Sequence, residues 1–163
     1  MSDYCVVSVD GTRARFFTLE PARQPAVESG PSLVETGESL INAEMELSSR
    51  ELWSDTKTGR NAANGMAHSY DDHRDQHMDE FKRRFAKRVA ESAVQLAERR
   101  GVKNLVVVAE KQMLGFLRGE IRISPKAGFK LRELAKDLSR LSPQDLQGHL
   151  AAEGLVPPRN RPA

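Results

Sequence analysis

The first part of the chain alternates between apolar runs and a turn signal. Residues 5–9 form a short β-branched run that ends at Asp10 and Gly11, and a second strand-like run, 13–19, follows directly. Asp-Gly supplies the positive φ angles that a tight hairpin turn requires. The pattern therefore predicts a β-hairpin.

The chain then becomes more polar. A connection at 21–31 precedes two short runs, 33–36 and 39–41, which are candidates for a third strand. From 54 to 75 there is almost no apolar periodicity, and Asp, Asn, Gly, Ser, Thr and His dominate, which is loop composition. Loops of this length in compact domains are functional or disordered more often than they are simple connectors. We therefore expect the function to lie in this loop and in the helix after it.

A long amphipathic helix over 76–99 is predicted after the loop. Asp72 or Asp75 can cap its start, and Gly101, after two arginines, marks its end. Apolar residues recur at spacings of three and four and predict one buried stripe: Met78, Phe81, Phe85, Val89, Ala93 and Leu96. Basic residues occupy the remaining surface: Lys82, Arg83, Arg84, Lys87 and Arg88.

The C-terminal part contains the clearest strand signal. Residues 105–109 are apolar without alternation, which is typical of a central strand covered on both faces. A short helix at 113–117, a strand at 129–134 and a helix over 142–150 follow. From residue 156, a double proline and a polar end predict a flexible C-terminal tail, 156–163.

This order of elements predicts the fold class. A chain of 163 residues is enough for one domain with a real core. A hairpin, a third strand and then alternating helices and strands favour a single α/β domain, 1–155, with a ribonuclease-H-like three-layer arrangement and a mixed sheet. In that arrangement the buried strand 105–109 lies beside the first strand, and the long helix covers the sheet.

The cysteine content and the apolar runs of the chain indicate its cellular compartment. The single cysteine, Cys5, lies in an apolar run and cannot form an internal disulfide, which fits a reducing compartment. No export signal precedes the first strand, and no apolar run approaches the roughly 20 residues that span a bilayer. We therefore expect a cytoplasmic protein without a membrane partner.

Charge is distributed unevenly along the chain. Four basic and ten acidic residues precede Lys57, whereas 21 basic and 13 acidic residues follow from that position onward. A basic C-terminal part is compatible with an anionic partner such as RNA, and equally with a mixed-charge surface.

Two clusters could bind metal ions. Three histidines, His68, His73 and His77, lie among aspartates, but their spacing matches no metal-ligand motif. At the ends of strands, Asp10, Glu110 and Asp137 could hold two metal ions for phosphodiester cleavage.

For each of these carboxylates a structural role in a turn, a helix start or a loop is the simpler interpretation. We therefore predict no catalytic residue, no metal site and no cofactor. A divalent-metal-dependent nuclease remains an alternative.

A family resemblance emerges at the C-terminal end. Residues 136–150, KDLSRLSPQDLQGHL, resemble the closing motif of the bacterial host attachment protein family. The resemblance extends over about residues 4–150, and shorter stretches resemble family motifs in the same order: Asp55 with Gly59 and Arg60, residues 65–68, and Phe85 with Ala86.

That family is similar to the middle domain of archaeal and eukaryotic peptide-chain release factors. Such domains have a ribonuclease-H-like fold and carry a Gly-Gly-Gln loop to the peptidyl transferase centre. The resemblance implies a ribosome-directed role, but residues 61–66, NAANGM, contain no Gly-Gly-Gln. Release-factor hydrolysis is therefore not expected.

The predicted function is non-catalytic binding of ribosome or structured RNA through the loop 54–75 and the basic helix, linked to attachment to host cells. An alternative is a protein-interaction factor required for that attachment. The predicted contact residues are Arg60, Asn64, Gly65, His68, Arg74, Lys82, Arg83, Lys87 and Arg88.

Overall fold

The computed structural model describes residues 3–45, 47, 67–121 and 128–160, with the backbone alone for 67–75. The helices and strands follow the predicted order. In chain order they are β1 (Tyr4–Val9), β2 (Arg13–Glu20), β3 (Ser32–Ile41), α1 (Ala67–Arg100), β4 (Asn104–Ala109), α2 (Lys111–Glu120), β5 (Lys130–Ala135) and α3 (Pro143–Ala152).

The strands form one mixed sheet in the order β3-β2-β1-β4-β5. β1 pairs antiparallel with β2 and parallel with β4, so that Val7 lies between Phe16 and Val107. β5 adds parallel to β4, and β3 adds antiparallel to β2. The mixed α/β fold is confirmed, as is the position of the buried strand beside the first strand. The strand order is compatible with the ribonuclease-H-like arrangement.

Helices cover both faces of the sheet. On one face, alternate residues of β1 and β4, such as Val7 and Val107, pack against the apolar stripe of α1 and against α2. On the other face, Val6 and Val106 pack against Leu146 of α3. Because both faces are buried, the central strands are apolar at successive positions rather than at every second one. No helix within the described residues has the length and apolar character needed to cross a membrane.

Cys5 lies fully buried in the first of these two layers. Burial raises the pKa of its thiol to about 12, and only the thiolate is an effective nucleophile. We therefore expect the native protein not to react with a chromogenic disulfide reagent at pH 8, whereas the denatured chain should release one equivalent of chromophore. Rapid reaction of the folded protein would contradict the buried position.

The turn of the first hairpin forms by a different mechanism from the predicted one. Gly11 does not have a positive φ angle. Instead, Oδ1 of Asp10 accepts hydrogen bonds from the N–H of Thr12 at 2.7 Å, from its hydroxyl at 3.0 Å and from the N–H of Arg13 at 2.7 Å. The aspartate side chain therefore closes the turn in place of the glycine conformation.

The predicted start of the long helix was wrong. α1 begins at Ala67, so that 67–75 are helical rather than part of a loop, and Asp72 and Asp75 lie inside the helix rather than at its N-cap. Apolar periodicity marks only the half of a helix that packs on a core, and this polar half carries no such stripe. The predicted end is confirmed, because Gly101 has a φ of 63°. Residues 54–66 of the predicted loop lie outside the described residues.

The segment predicted as a flexible tail is partly held in place. Val156 is buried, and Asn160 pairs with Gly30 through two backbone hydrogen bonds of 3.1 and 3.2 Å. The described part of the tail, 156–160, therefore contacts the connection that precedes β3. Residues 161–163 lie outside the described part.

Candidate partner-binding site

Several segments meet where the parallel strands end. β1, β4 and β5 are parallel, so the hairpin turn 10–13, the start of α2 and the loop 136–142 lie along the same edge of the sheet. We call this the carboxyl edge. α1 passes close to the hairpin turn at Lys82. A Cβ atom added to Gly11 would lie 3.5 Å from the Cε of this lysine. The helix starts 15 residues earlier, which at 1.5 Å per residue extends it about 22 Å past this point, and we call residues 67–81 the projecting half of α1.

Asn42 connects the hairpin turn to α1. Its backbone N–H donates to the carbonyl of Thr12 at 2.7 Å. Its carboxamide nitrogen donates to the carbonyls of Gly11 at 3.2 Å and Phe81 at 3.3 Å. Only 3% of Asn42 is exposed. The residue therefore fixes where α1 leaves the sheet, and nothing in its local sequence indicates this role.

Lys82, one of the predicted contact residues, has internal partners. Its ammonium donates to Oε1 of Gln112 at 3.0 Å, and Nε2 of Gln112 donates to Oδ1 of Asp79 at 3.1 Å. The lysine is half-buried at the carboxyl edge. It joins α1 to the start of α2 and presents less of its charge to a partner than its position in the sequence suggests.

The other basic residues of α1 are divided between two sides of the helix. Arg83 and Lys87, four residues apart, share one side, and Arg84 and Arg88 share another. The guanidinium of Arg83 lies 5.2 Å from the ring centre of Phe116 in α2. The predicted contact residues of α1 therefore do not form one continuous face.

Arg83 and Arg88 differ from Arg84 in their ion pairs. Arg84 lies 3.4 Å from a carboxylate oxygen of Glu44. Within the described residues, neither Arg83 nor Arg88 has a carboxylate within ion-pair distance, and both are exposed. Arg88 lies over the ring of Phe85 at 6.0 Å. Each of the two arginines is thus supported by an aromatic ring and keeps an unpaired charge.

The structure describes the remaining predicted contact residues only in part or not at all. His68 and Arg74 lie on the projecting half of α1 rather than in a loop, and their side chains are outside the described residues. Arg60, Asn64 and Gly65 are outside the described residues altogether. In the histidine cluster, the side chains of His68 and His73 are outside the described residues, whereas His77 is exposed and its ring centre lies 6.4 Å from that of Phe81.

An open groove of about 720 Å³ lies on the other side of the hairpin turn. Arg15 forms its floor with a bidentate pair to Glu35, both distances being 2.8 Å. The same guanidinium donates to the carbonyls of Ser139 at 3.1 Å and Leu141 at 2.7 Å. The hydrogen bonds between Arg15 and Glu35 lower the pKa of Glu35 and raise that of Arg15. Arg15 thereby fixes the loop 136–142 against β2 and β3.

The three carboxylates of the nuclease alternative follow β1, β4 and β5 at the same edge, as expected. Oδ1 of Asp10, however, accepts the hydrogen bonds of its own turn. Asp137 accepts hydrogen bonds from the hydroxyl of Ser139 at 2.6 Å and from its N–H at 3.2 Å, and these lower the pKa of Asp137. Across the described residues, no group of three His, Cys, Asp or Glu side chains is placed to hold one metal ion. The carboxylates of Asp10 and Asp137 thus serve hydrogen bonds within their own turn and loop.

Comparison with known proteins assigns the chain to a family. A search of curated proteins finds no match. The family model described as "Protein required for attachment to host cells" matches residues 5–150. Because this match covers most of the chain, the protein belongs to the family of proteins required for attachment to host cells.

Proposed function

We propose that the protein is a non-catalytic binding protein that holds structured RNA, such as ribosomal RNA, on the part of α1 where the helix leaves the sheet, and that this binding is its contribution to host attachment. The observation that carries the proposal is the pair of exposed arginines, Arg83 and Arg88, each placed over an aromatic ring and without an acidic partner in the described chain. They lie where α1 leaves the sheet.

Physical chemistry favours RNA for exposed arginines on two sides of one helix. Arginine pairs with phosphate through several donors and can also stack on bases, and an aromatic ring beneath the guanidinium restricts its motion. Lys87, exposed beside Arg83, adds a third cation. A helix that extends about 22 Å beyond its domain can enter a groove or cleft that the sheet itself could not approach.

The test is a triple substitution of Arg83→Gln, Lys87→Gln and Arg88→Gln in the full-length protein. We expect its affinity for ribosomes or an RNA hairpin to fall at least about tenfold at 0.1 M salt, because phosphate contacts are lost. The slope of log affinity against log salt should become shallower by about two units. Co-sedimentation and fluorescence anisotropy at several salt concentrations measure both quantities.

The matched control removes the same charge from the opposite edge of the sheet. Arg100, Lys103 and Lys130 are exposed there, and their triple replacement by Gln should change affinity by less than about twofold, since charges at this distance are largely screened. Equal loss in the two variants would mean that net charge, and not α1, governs binding. No binding by the wild-type protein would overturn the proposal.

A protein-interaction factor is the second candidate. It is favoured by large apolar side chains that remain exposed, namely Val34 at 45% and Ile41 at 44% on β3, with Leu47 at 57%. A protein partner bound through such residues would associate with little dependence on salt, which distinguishes it from RNA in the same experiment.

A further inference from the structure

We propose that the groove beside the hairpin turn is a phosphate-binding site. In the RNA complex proposed above, on which this assignment of the ligand rests, the phosphate belongs to the RNA backbone. The groove lies at the same carboxyl edge as the projecting half of α1, separated from it by the hairpin turn. It offers the second contact that would fix the direction of an RNA strand held by α1.

The groove is shaped before any ligand binds. The guanidinium of Arg15 already donates hydrogen bonds to the carboxylate of Glu35 and to the two loop carbonyls. Its charge is neutralised by Glu35, and it fixes one wall of the groove against the other. Little reorganisation is then needed on binding, which favours affinity.

Two other arginines supply further positive charge. Arg13 and Arg140 line the groove and are exposed. No carboxylate in the described part of the chain lies within ion-pair distance of either one, although Arg13 contributes to the lowered pKa of Glu35 and Arg140 to that of Asp137. Of the carboxylates lining the groove, Glu35 is paired with Arg15 and Asp10 accepts the donors of its own turn.

Hydrogen-bond donors complement this charge. Ser142 lines the groove, and its hydroxyl oxygen accepts the N–H of Asp145 at 3.2 Å, so the hydroxyl hydrogen can point to a ligand. Ser142 is also the N-cap of α3, whose positive end therefore opens beside the groove. Asp137 and Asp145 lie close by and reduce the positive potential, so a phosphate would be held by direct charge-assisted hydrogen bonds from Arg13 and Arg140.

The experiment uses the full chain labelled with ¹⁵N and two double variants. One carries Arg13→Gln and Arg140→Gln. The control carries Arg100→Gln and Lys103→Gln, two exposed cations at the opposite edge. Inorganic phosphate is titrated at constant ionic strength, and the amide resonances of residues 139–142 and 144 are followed. An RNA hairpin is then titrated into the same proteins at about 50 and 200 mM salt.

We expect phosphate to shift the amides of residues 139–142 and 144 in the wild-type and control proteins, with at least fivefold weaker binding in the groove variant. RNA affinity should fall roughly tenfold in the groove variant, with a salt slope shallower by one to two units. Phosphate binding without any RNA binding would support the groove as a site for a free phosphorylated ligand while overturning the proposed function. RNA binding that the groove variant leaves unchanged, together with no phosphate shift, would overturn the groove and leave the α1 proposal standing.

Discussion

Replacing Gln147 by Ala is expected to lower the free energy of unfolding by about 3 kcal/mol, because a buried side chain that makes three hydrogen bonds would be lost. Oε1 accepts the N–H of Leu33 at 3.0 Å, and Nε2 donates to the carbonyls of Pro31 at 2.9 Å and Pro157 at 3.2 Å. Only 2% of Gln147 is exposed. Without it, three backbone groups lose their partners and a small cavity opens between α3 and β3. Urea denaturation followed by circular dichroism measures the effect.

Gln144 on the same helix provides the matched control. It is exposed, so Gln144→Ala should change the unfolding free energy by no more than about 0.5 kcal/mol. Gln147→Glu should be more harmful than Gln147→Ala, since a carboxylate cannot donate to two carbonyls and would be buried as a charge. A loss below about 1 kcal/mol in Gln147→Ala would show that water replaces the carboxamide without penalty.

The second large effect is expected at Asn42. Asn42→Ala should cost about 2 kcal/mol, because the carbonyls of Gly11 and Phe81 would lose a shared donor inside the protein. Asn42→Asp preserves the shape but places an oxygen against those two carbonyls, so its cost should exceed that of Ala. Denaturation gives the energies. Hydrogen exchange should report faster opening of the hairpin turn and of α1 near Phe81, with little change in β5.

Ser39→Ala is the control for this prediction, since Ser39 is exposed on β3, three residues from Asn42. It should leave both stability and exchange nearly unchanged. Equal exchange rates near Phe81 in Asn42→Ala and in the wild-type protein would mean that apolar packing alone holds α1 to the turn.

The sequence predicts those parts of the fold that depend on local pattern. The continuous apolar run of β4 indicated a strand covered on both faces, and the stripe from Phe85 to Leu96 indicated the packed half of α1. Ser142 before Pro143 indicated the start of α3, and its hydroxyl does cap that helix. In each case the residues responsible lie within a few positions of one another.

The missed features depend on contacts between distant parts of the chain. Gln147 and Pro31 are 116 positions apart, and the pairing of Arg15 with Leu141 spans 126. A polar residue with such a partner has the same sequence signature as one on the surface. The sequence also did not predict the first part of the projecting half of α1, residues 67–75. The apolar residues of this part follow no helical periodicity, which marks only the half of a helix that packs on a core.

The position of β1 at the centre of the sheet has a consequence for the order of folding. The β1–β2 hairpin closes a loop of only a few residues, whereas Val7 of β1 pairs with Val107 of β4, 100 positions later in the chain. Closing a loop of that length costs about 4 kcal/mol of chain entropy before any contact compensates for it. During synthesis, β1–β3 can assemble first, but one face of this meander stays uncovered until Leu146 and Leu150 of α3 arrive. The nascent chain therefore presents Val6 and Phe17 to solvent for most of its elongation, which makes this stage the point at which chaperone capture or aggregation would compete with folding.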